Sequence, residues 1–335
     1  MHGSGVQPGQ PAGGRQMKPQ IVMTAPSPEA WLYMLLQKAR ELELPWLDLI
    51  VDQAEMGSRW QSRVGALYSP RMLLQDTPHA EAADEGPVLV RLDASQPQTR
   101  LLKLLRQWQG QPRVLALFSG WDYDQLVARL TLCLQASWDK GLQQGVLRFH
   151  DPRLFAAVAD ALDESRRQLL LEPAVQWHWL DRDGHARMLD ATTLQSLPPL
   201  EWEHDTLTLE QPHIDALACW HLAETWRQNH LLVPQLYGLD SEEELVRRLA
   251  QAHQAADKAK LWSEAERMTC GVTFIFLPCD DARVIIDCIN LFIYGFSRGA
   301  AEARAFLWRL VRYRGLGGVD RAGARRAGAA HGQRA

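Results

Sequence analysis

The densest run of chemically able side chains is Leu147-Arg148-Phe149-His150-Asp151-Pro152-Arg153. Two arginines bracket an aspartate, with a histidine among them. Guanidinium groups so placed form a carboxylate-binding fork, or they close on Asp151 as an internal salt bridge. Asp151 also suits the start of a helix, where its carboxylate accepts backbone N–H bonds and Pro152 presets φ. Acid–base chemistry is the other option. Asp122, Asp124, His150 and Asp151 would furnish a hydrolase-like centre if one sheet edge gathered them. A second concentration is aromatic: the chain has 13 Trp against 8 Phe and 6 Tyr. Trp177 and Trp179 sit two apart, so a strand puts them on one face and His178 on the other. That face is core, or it is a docking surface for a partner peptide. Arg148, His150, Asp151, Arg153, Trp177 and Trp179 are accordingly the candidate partner-binding residues.

Other titratable groups carry less chemistry. The pairs Asp122/Asp124 and Asp280/Asp281 read as helix caps. His178, His185, His213, His221 and His230 lack a third ligand at useful spacing, so no metal site is expected. Cys133, Cys219, Cys270, Cys279 and Cys288 form an odd set without a Cys-x-x-Cys pair. They read as buried thiols in a reducing cytoplasm. Gly-x-Gly-x-x-Gly, Gly-Lys-Ser/Thr, Gly-x-Ser-x-Gly and His-Glu-x-x-His patterns are all missing, so no cofactor and no catalytic residue is expected. The net charge of -4, from 36 basic and 40 acidic residues, gives no footprint for nucleic acid.

These residues need elements to hold them. Ser27 caps a helix that Pro28 opens, with Trp31, Leu32, Leu35, Leu36 and Ala39 on one face, and Pro45 closes it. Trp46–Val51 is a strand, Trp60–Leu67 a short helix, Met72–Leu74 an apolar run and Thr77–Glu85 a loop. Gly86-Pro87 leads into the strand Val88–Leu92. Ser95 caps a helix from Pro97 to Trp108, and Val114–Phe118 is a strand. Asp122 or Asp124 caps Gln125–Trp138, and Gly141–Gly145 turns into the strand Val146–Phe149. Asp151 then caps a helix to Leu162. Val175–Leu180 and Ala186–Leu189 form a hairpin around Asp183-Gly184. Helices follow at His213–Arg227, Glu242–Ala256, Leu261–Met268, Ala282–Tyr294 and Arg298–Tyr313, with Val272–Leu277 a strand.

Strands alternating with helices, and nearly all-apolar strands, point to the α/β class with a short, mostly parallel sheet flanked by helices. That lobe spans residues 25–195, and a mainly helical lobe spans 196–314. The flanks 1–24, rich in Gly, Pro and Gln, and 315–335, rich in Gly, Ala and Arg, read as disordered. The first 20 residues lack the apolar stretch of a signal peptide, and no clean apolar run of about 18 residues exists for a membrane span. The expected location is the cytoplasm.

Leu147-Arg148-Phe149-His150-Asp151-Pro152-Arg153-Leu154 resembles the Leu-Arg-aromatic-aromatic-Asp-Pro-Arg run of the 4123 domain-of-unknown-function family, the type VI secretion adaptors or effector chaperones. Gly86-Pro87-Val88-Leu89-Val90 resembles that family's Gly-Pro-aromatic-Leu-Val strand. The helix from Asp124 to Trp138 and its Gly-containing exit are similar in spacing, and Tyr237–Glu242 resembles an element of its helical lobe. His150 stands where a second aromatic is common. The resemblance implies a two-lobed, non-enzymatic adaptor. Its implied partners are a cognate toxin effector and the secreted spike or its tip protein. The alternatives are a hydrolase on the same scaffold and a structural secretion subunit without cargo choice.

Overall fold

The computed structural model describes residues 20–23, 26–54, 56, 70–196, 206–229, 232–258, 260, 267 and 271. The chain divides into two compact units, Met1–Ala218 and Cys219–Ala335. The expected elements at Trp60–Leu67, Leu261–Met268, Val272–Leu277, Ala282–Tyr294 and Arg298–Tyr313 lie outside the described residues, single positions apart. So do His230, Cys270, Cys279, Cys288, Asp280/Asp281 and most of both flanks.

The first unit is built on a seven-stranded sheet. Its strands are β1 (Gln20–Met23), β2 (Trp46–Asp52), β3 (Arg71–Met72), β4 (Pro87–Asp93), β5 (Val114–Phe118), β8 (Gln176–Leu180) and β9 (Ala186–Asp190), in the order β1-β9-β8-β5-β2-β4-β3. Every neighbouring pair is antiparallel. The expectation of a mostly parallel sheet is therefore wrong, and the topology shows why. A helix does link β4 to β5, and those two strands run the same way. They are not neighbours, because β2 lies between them and runs opposite to both. The apolar strands report only that helices cover both faces, which holds for either strand direction.

On one face Leu47, Leu49, Val51, Val90, Ala116 and Phe118 pack against α1 (Pro28–Glu41) and α2 (Thr99–Gln107). On the other, Ile50, Leu89, Leu115, Leu117, Trp177 and Trp179 pack against α3 (Tyr123–Leu134), α4 (Phe155–Ala161) and α5 (Glu164–Leu171). The Ser27 hydroxyl accepts from Ala30 N at 3.1 Å and Pro28 opens α1, as its sequence implies. Leu42 caps that helix at its C-terminal end, before Pro45 is reached. Ser95 does not cap α2: its N–H and hydroxyl both donate to Asp93 Oδ1, and Gln98 precedes the helix. Asp122 caps α3 through Asp124 N. The β8–β9 hairpin forms as expected, with Gly184 at φ 78°. Helix α5, capped by Asp163, has no counterpart among the sequence expectations.

Helix α3 stops at Leu134, four residues before the expected end, because Gln135 turns extended. Residues Gln135–Trp138 form β6, which pairs antiparallel with β7 (Gln143–Val146) and parallel with β10 (Leu207–Thr208) in a second sheet. Asp139, Lys140 and Gly141 all take positive φ in the turn between β6 and β7. Strand β7 begins with the exposed Gln143 and Gln144, so an apolar criterion placed it three residues late.

In the second unit Ala223, Leu239, Leu245, Val246, Leu249 and Ala250 make a core. They come from the end of α6 (Gln211–Asn229), a short 3-10 turn at Pro234–Tyr237 and α7 (Glu242–Lys258). Ser241 caps α7 through Glu244 N at 3.0 Å. Among the described residues no helix is long and apolar enough to cross a membrane.

Candidate functional site

The chain leaves β7 at Val146, and Leu147–His150 is not a strand. Leu147 and Phe149 alternate as strand residues do, but their burial anchors a turn. Leu147 N donates to Leu134 O at 2.7 Å, and Phe149 N donates back to Leu147 O at 2.9 Å. Helix α4 starts only at Phe155, without a side-chain cap. The expectation that Asp151 caps it through its carboxylate fails. Its backbone carbonyl instead accepts from Leu154 N and Phe155 N, both at 2.9 Å. Pro152 has no N–H and a fixed φ, so it fits the corner of such a turn.

The Asp151 carboxylate holds this turn from inside. Oδ1 accepts from Arg153 N and Arg153 Nε, both at 3.0 Å. Oδ2 accepts from Arg153 Nη2 at 2.9 Å and from Arg148 Nη2 at 3.3 Å. Both arginines therefore close on Asp151, the internal salt-bridge arrangement. Arg148 also lies 3.6 Å from Asp52 Oδ2. Burial alone would raise the Asp151 pKa, but the bonds and charge of Arg153, with the charge of Arg148, hold it below the ordinary carboxylate value. Arg148 still has 49% of its side chain exposed. Its Nε and Nη1 make no hydrogen bond among the described residues, so three N–H donors on two nitrogens remain for an outside acceptor.

His150 is buried, edge-on to Phe149 at 6.3 Å between centroids. Its Nδ1 has no hydrogen-bond partner among the described residues. Burial pushes its pKa down to about 4 against the pull of Asp52 and Asp151, with Arg148 adding to the fall. A neutral imidazole is the result at neutral pH. No hydrogen bond or ion pair brings His150 or Asp151 to Asp122 or Asp124. Asp122 is spent on its cap, and Asp124 bonds Arg71 at the surface.

Trp177 and Trp179 do share a face, and that face is core: they are 0% and 3% exposed. Phe155, the first residue after the turn, sits 5.1 Å from each ring. Trp177 Nε1 donates to Leu171 O at 3.2 Å. The turn and the tryptophan pair thus meet through Phe155, with the rings as its foundation and the arginines as its outward part.

Sequence reasoning missed the polar face of β2. Asp48 is fully buried and takes a two-bond fork from Arg91, at 2.7 and 2.8 Å. Burial still raises the Asp48 pKa against the attraction of Arg91. Arg91 also donates to Trp121 O and stacks 5.0 Å from the Tyr123 ring. Burial pushes the Tyr123 hydroxyl up to about 12, and it donates to Leu89 O. The signal was present: Asp48 and Asp52 break an apolar strand four residues apart, which puts both on one face. Gly86 belongs to the same neighbourhood. Its carbonyl accepts from Gln53 Nε2 at 2.7 Å, and a Cβ there would meet Leu74 Cδ1 at 2.7 Å.

Among the described residues one cluster has cation-binding composition: Asp181, Asp183 and His185. Asp181 is already engaged by Arg187 Nε at 2.7 Å and by the N–H groups of Asp183 and His185, so it braces the hairpin turn. Cys133 and Cys219 are buried and form no disulfide, and burial drives Cys133 up to about 12.

No curated protein and no solved structure matches the chain. A family model does match, over residues 32–169, which run from α1 through α5 and include β2, the Gly86-Pro87 entry to β4, α3 and the Asp151 turn. That segment of the first unit is similar to the domain of unknown function DUF4123.

Proposed function

We propose that the chain is a type VI secretion adaptor that binds a cognate toxin effector and promotes its loading onto the spike complex. It works as a binding protein and not as an enzyme. The observation that carries this reading is the Asp151 turn inside the DUF4123 segment. A buried carboxylate fixes two arginines, and one of them, Arg148, keeps half its side chain in solvent. A guanidinium held this way loses little further freedom when it meets an acceptor on a partner. Asp151 and Asp52 are tied to arginines, which supports positioning over proton transfer.

The test is co-purification of the full chain with the toxin and the spike protein encoded beside it. Capture of the toxin is expected, and Arg148→Gln, which removes the outward guanidinium without adding a like charge beside Asp151 and Asp52, should weaken it by about tenfold, with the urea midpoint measured alongside to separate lost contact from lost fold. Failure to capture either neighbour would sink the adaptor reading. Equal capture of unrelated toxins would favour a structural subunit without cargo choice.

A further inference from the structure

The outer edge of β9 is occupied by a strand the chain supplies itself. Strand β1 pairs antiparallel with it, Gln20 opposite Met188, Ile21 opposite Arg187 and Met23 opposite Ala186, and the register shifts between Ile21 and Met23. On the inner side, β8 pairs with β9 through five residues in unbroken register. A four-residue, irregular edge strand makes few ladder bonds. Opening it costs far less than unfolding the sheet. If β1 lifts, β9 is left with a row of N–H and C=O groups that need partners.

A cavity lies where this edge ends. Ala186 follows the hairpin turn, and Asp183 and Gly184 of that turn line a space of about 270 Å³ with Trp31, Trp108, Leu180 and Pro26. A sheet edge beside an apolar recess is the layout of strand addition. The main chain supplies affinity and the recess selects a side chain. The chain's own path describes the ligand: Gln20-Ile21-Val22-Met23 runs along the edge, and Pro26 follows at the cavity.

We propose that the β9 edge and this cavity form a strand-acceptor site. Strand β1 covers the β9 edge in cis, and an extended segment of a partner protein takes the edge and enters the cavity in trans. The segment that fits is a short apolar, β-branched stretch followed within three residues by proline. Strand β1 is a placeholder that guards the edge against unwanted pairing. Its tether gives it an effective concentration on the order of millimolar, so only a matched segment displaces it. This site is independent of the Asp151 turn, and its failure would leave the adaptor reading intact.

The probe is a fluorescent peptide with the sequence of residues 19–27, titrated into the full chain. Gln20→Cys with Met188→Cys places two thiols opposite one another, so that oxidation bolts β1 to β9. Mass spectrometry confirms the bond. The reduced protein should bind the peptide, the oxidised protein should bind it at least about tenfold more weakly, and reduction should restore binding. In a second arm, Gln20→Pro removes a ladder donor from β1, since Gln20 lies opposite Met188 on the side of β9 that faces away from β8, and should tighten peptide binding by about tenfold. Equal binding before and after oxidation, or no binding to the Gln20→Pro chain, overturns the proposal.

Discussion

Asp151 is 2% exposed, yet each of its oxygens accepts two hydrogen bonds, from Arg153 and Arg148. Removing the carboxylate strips an acceptor from Arg153 N and leaves two guanidinium groups facing each other. A fully buried pair broken this way costs about 3–5 kcal/mol. Here the arginines are 31% and 49% exposed and can turn to water, which discounts the loss. Asp151→Ala should therefore cost about 2–3 kcal/mol in urea denaturation, and Asp151→Asn, which keeps an acceptor for Arg153 N, about 1 kcal/mol. The pH sense follows from the depressed pKa. The stabilisation is whole above the ordinary carboxylate value and is lost as pH falls through the lower folded value. A change under about 0.5 kcal/mol for Asp151→Ala would mean that the turn is held by its backbone alone.

At the scale of elements, what the sequence reveals is burial more readily than direction. The helix at Ser27-Pro28 and the hairpin at Asp183-Gly184 are legible because a cap and a positive-φ glycine act locally. Sheet direction is not local. Strand β2 inserts between β4 and β5, and no residue in the helix that joins them records this. The Asp151 turn was legible as a place but not as a shape: Leu147 and Phe149 have strand-like spacing, and Asp-Pro looks like a helix start. Arginines on both sides were the better clue, since a carboxylate claimed by two guanidiniums has little left for a cap. The tryptophans follow the same lesson, and burial separates their roles. Trp177→Ala removes a fully buried ring against Phe155 and should cost about 3–5 kcal/mol. Trp46 is 41% exposed at the start of β2, and Trp46→Ala should cost under about 1 kcal/mol. Denaturation midpoints of the two variants check the contrast, and comparable losses would contradict it.

For the whole molecule the strongest collective property is sensitivity to mild acid, because each unit keeps a histidine neutral. Burial pushes His150 and His178 of the first unit, and His253 of the second, down to about 4. Around His150 stand Asp52, Arg148 and Asp151; His178 feels Lys38 and Asp190; His253 feels Arg267 and Asp257. The unfolded chain protonates each imidazole near its ordinary value while the folded chain does not. The histidine contribution is therefore flat above about pH 6.5, falls as pH drops toward 4 and levels off below that, where the loss from Asp151 takes over. At pH 5 a histidine shifted from 6.5 to about 4 contributes a loss on the order of 2 kcal/mol relative to pH 7. Asp48, whose pKa burial raises, works in the opposite sense, so absolute stabilities mix the two. The difference between pH 7 and pH 5 within one variant separates them, since packing lost on substitution cancels. In His150→Gln that difference should shrink by about 2 kcal/mol, and in His178→Gln by a similar amount, while Tyr33→Phe at the 64% exposed surface should leave it unchanged. Urea titrations at the two pH values measure it. Histidine variants that keep the full acid loss would show that these imidazoles reach water in the folded protein, and the buried, neutral picture of the His150 turn would have to be abandoned.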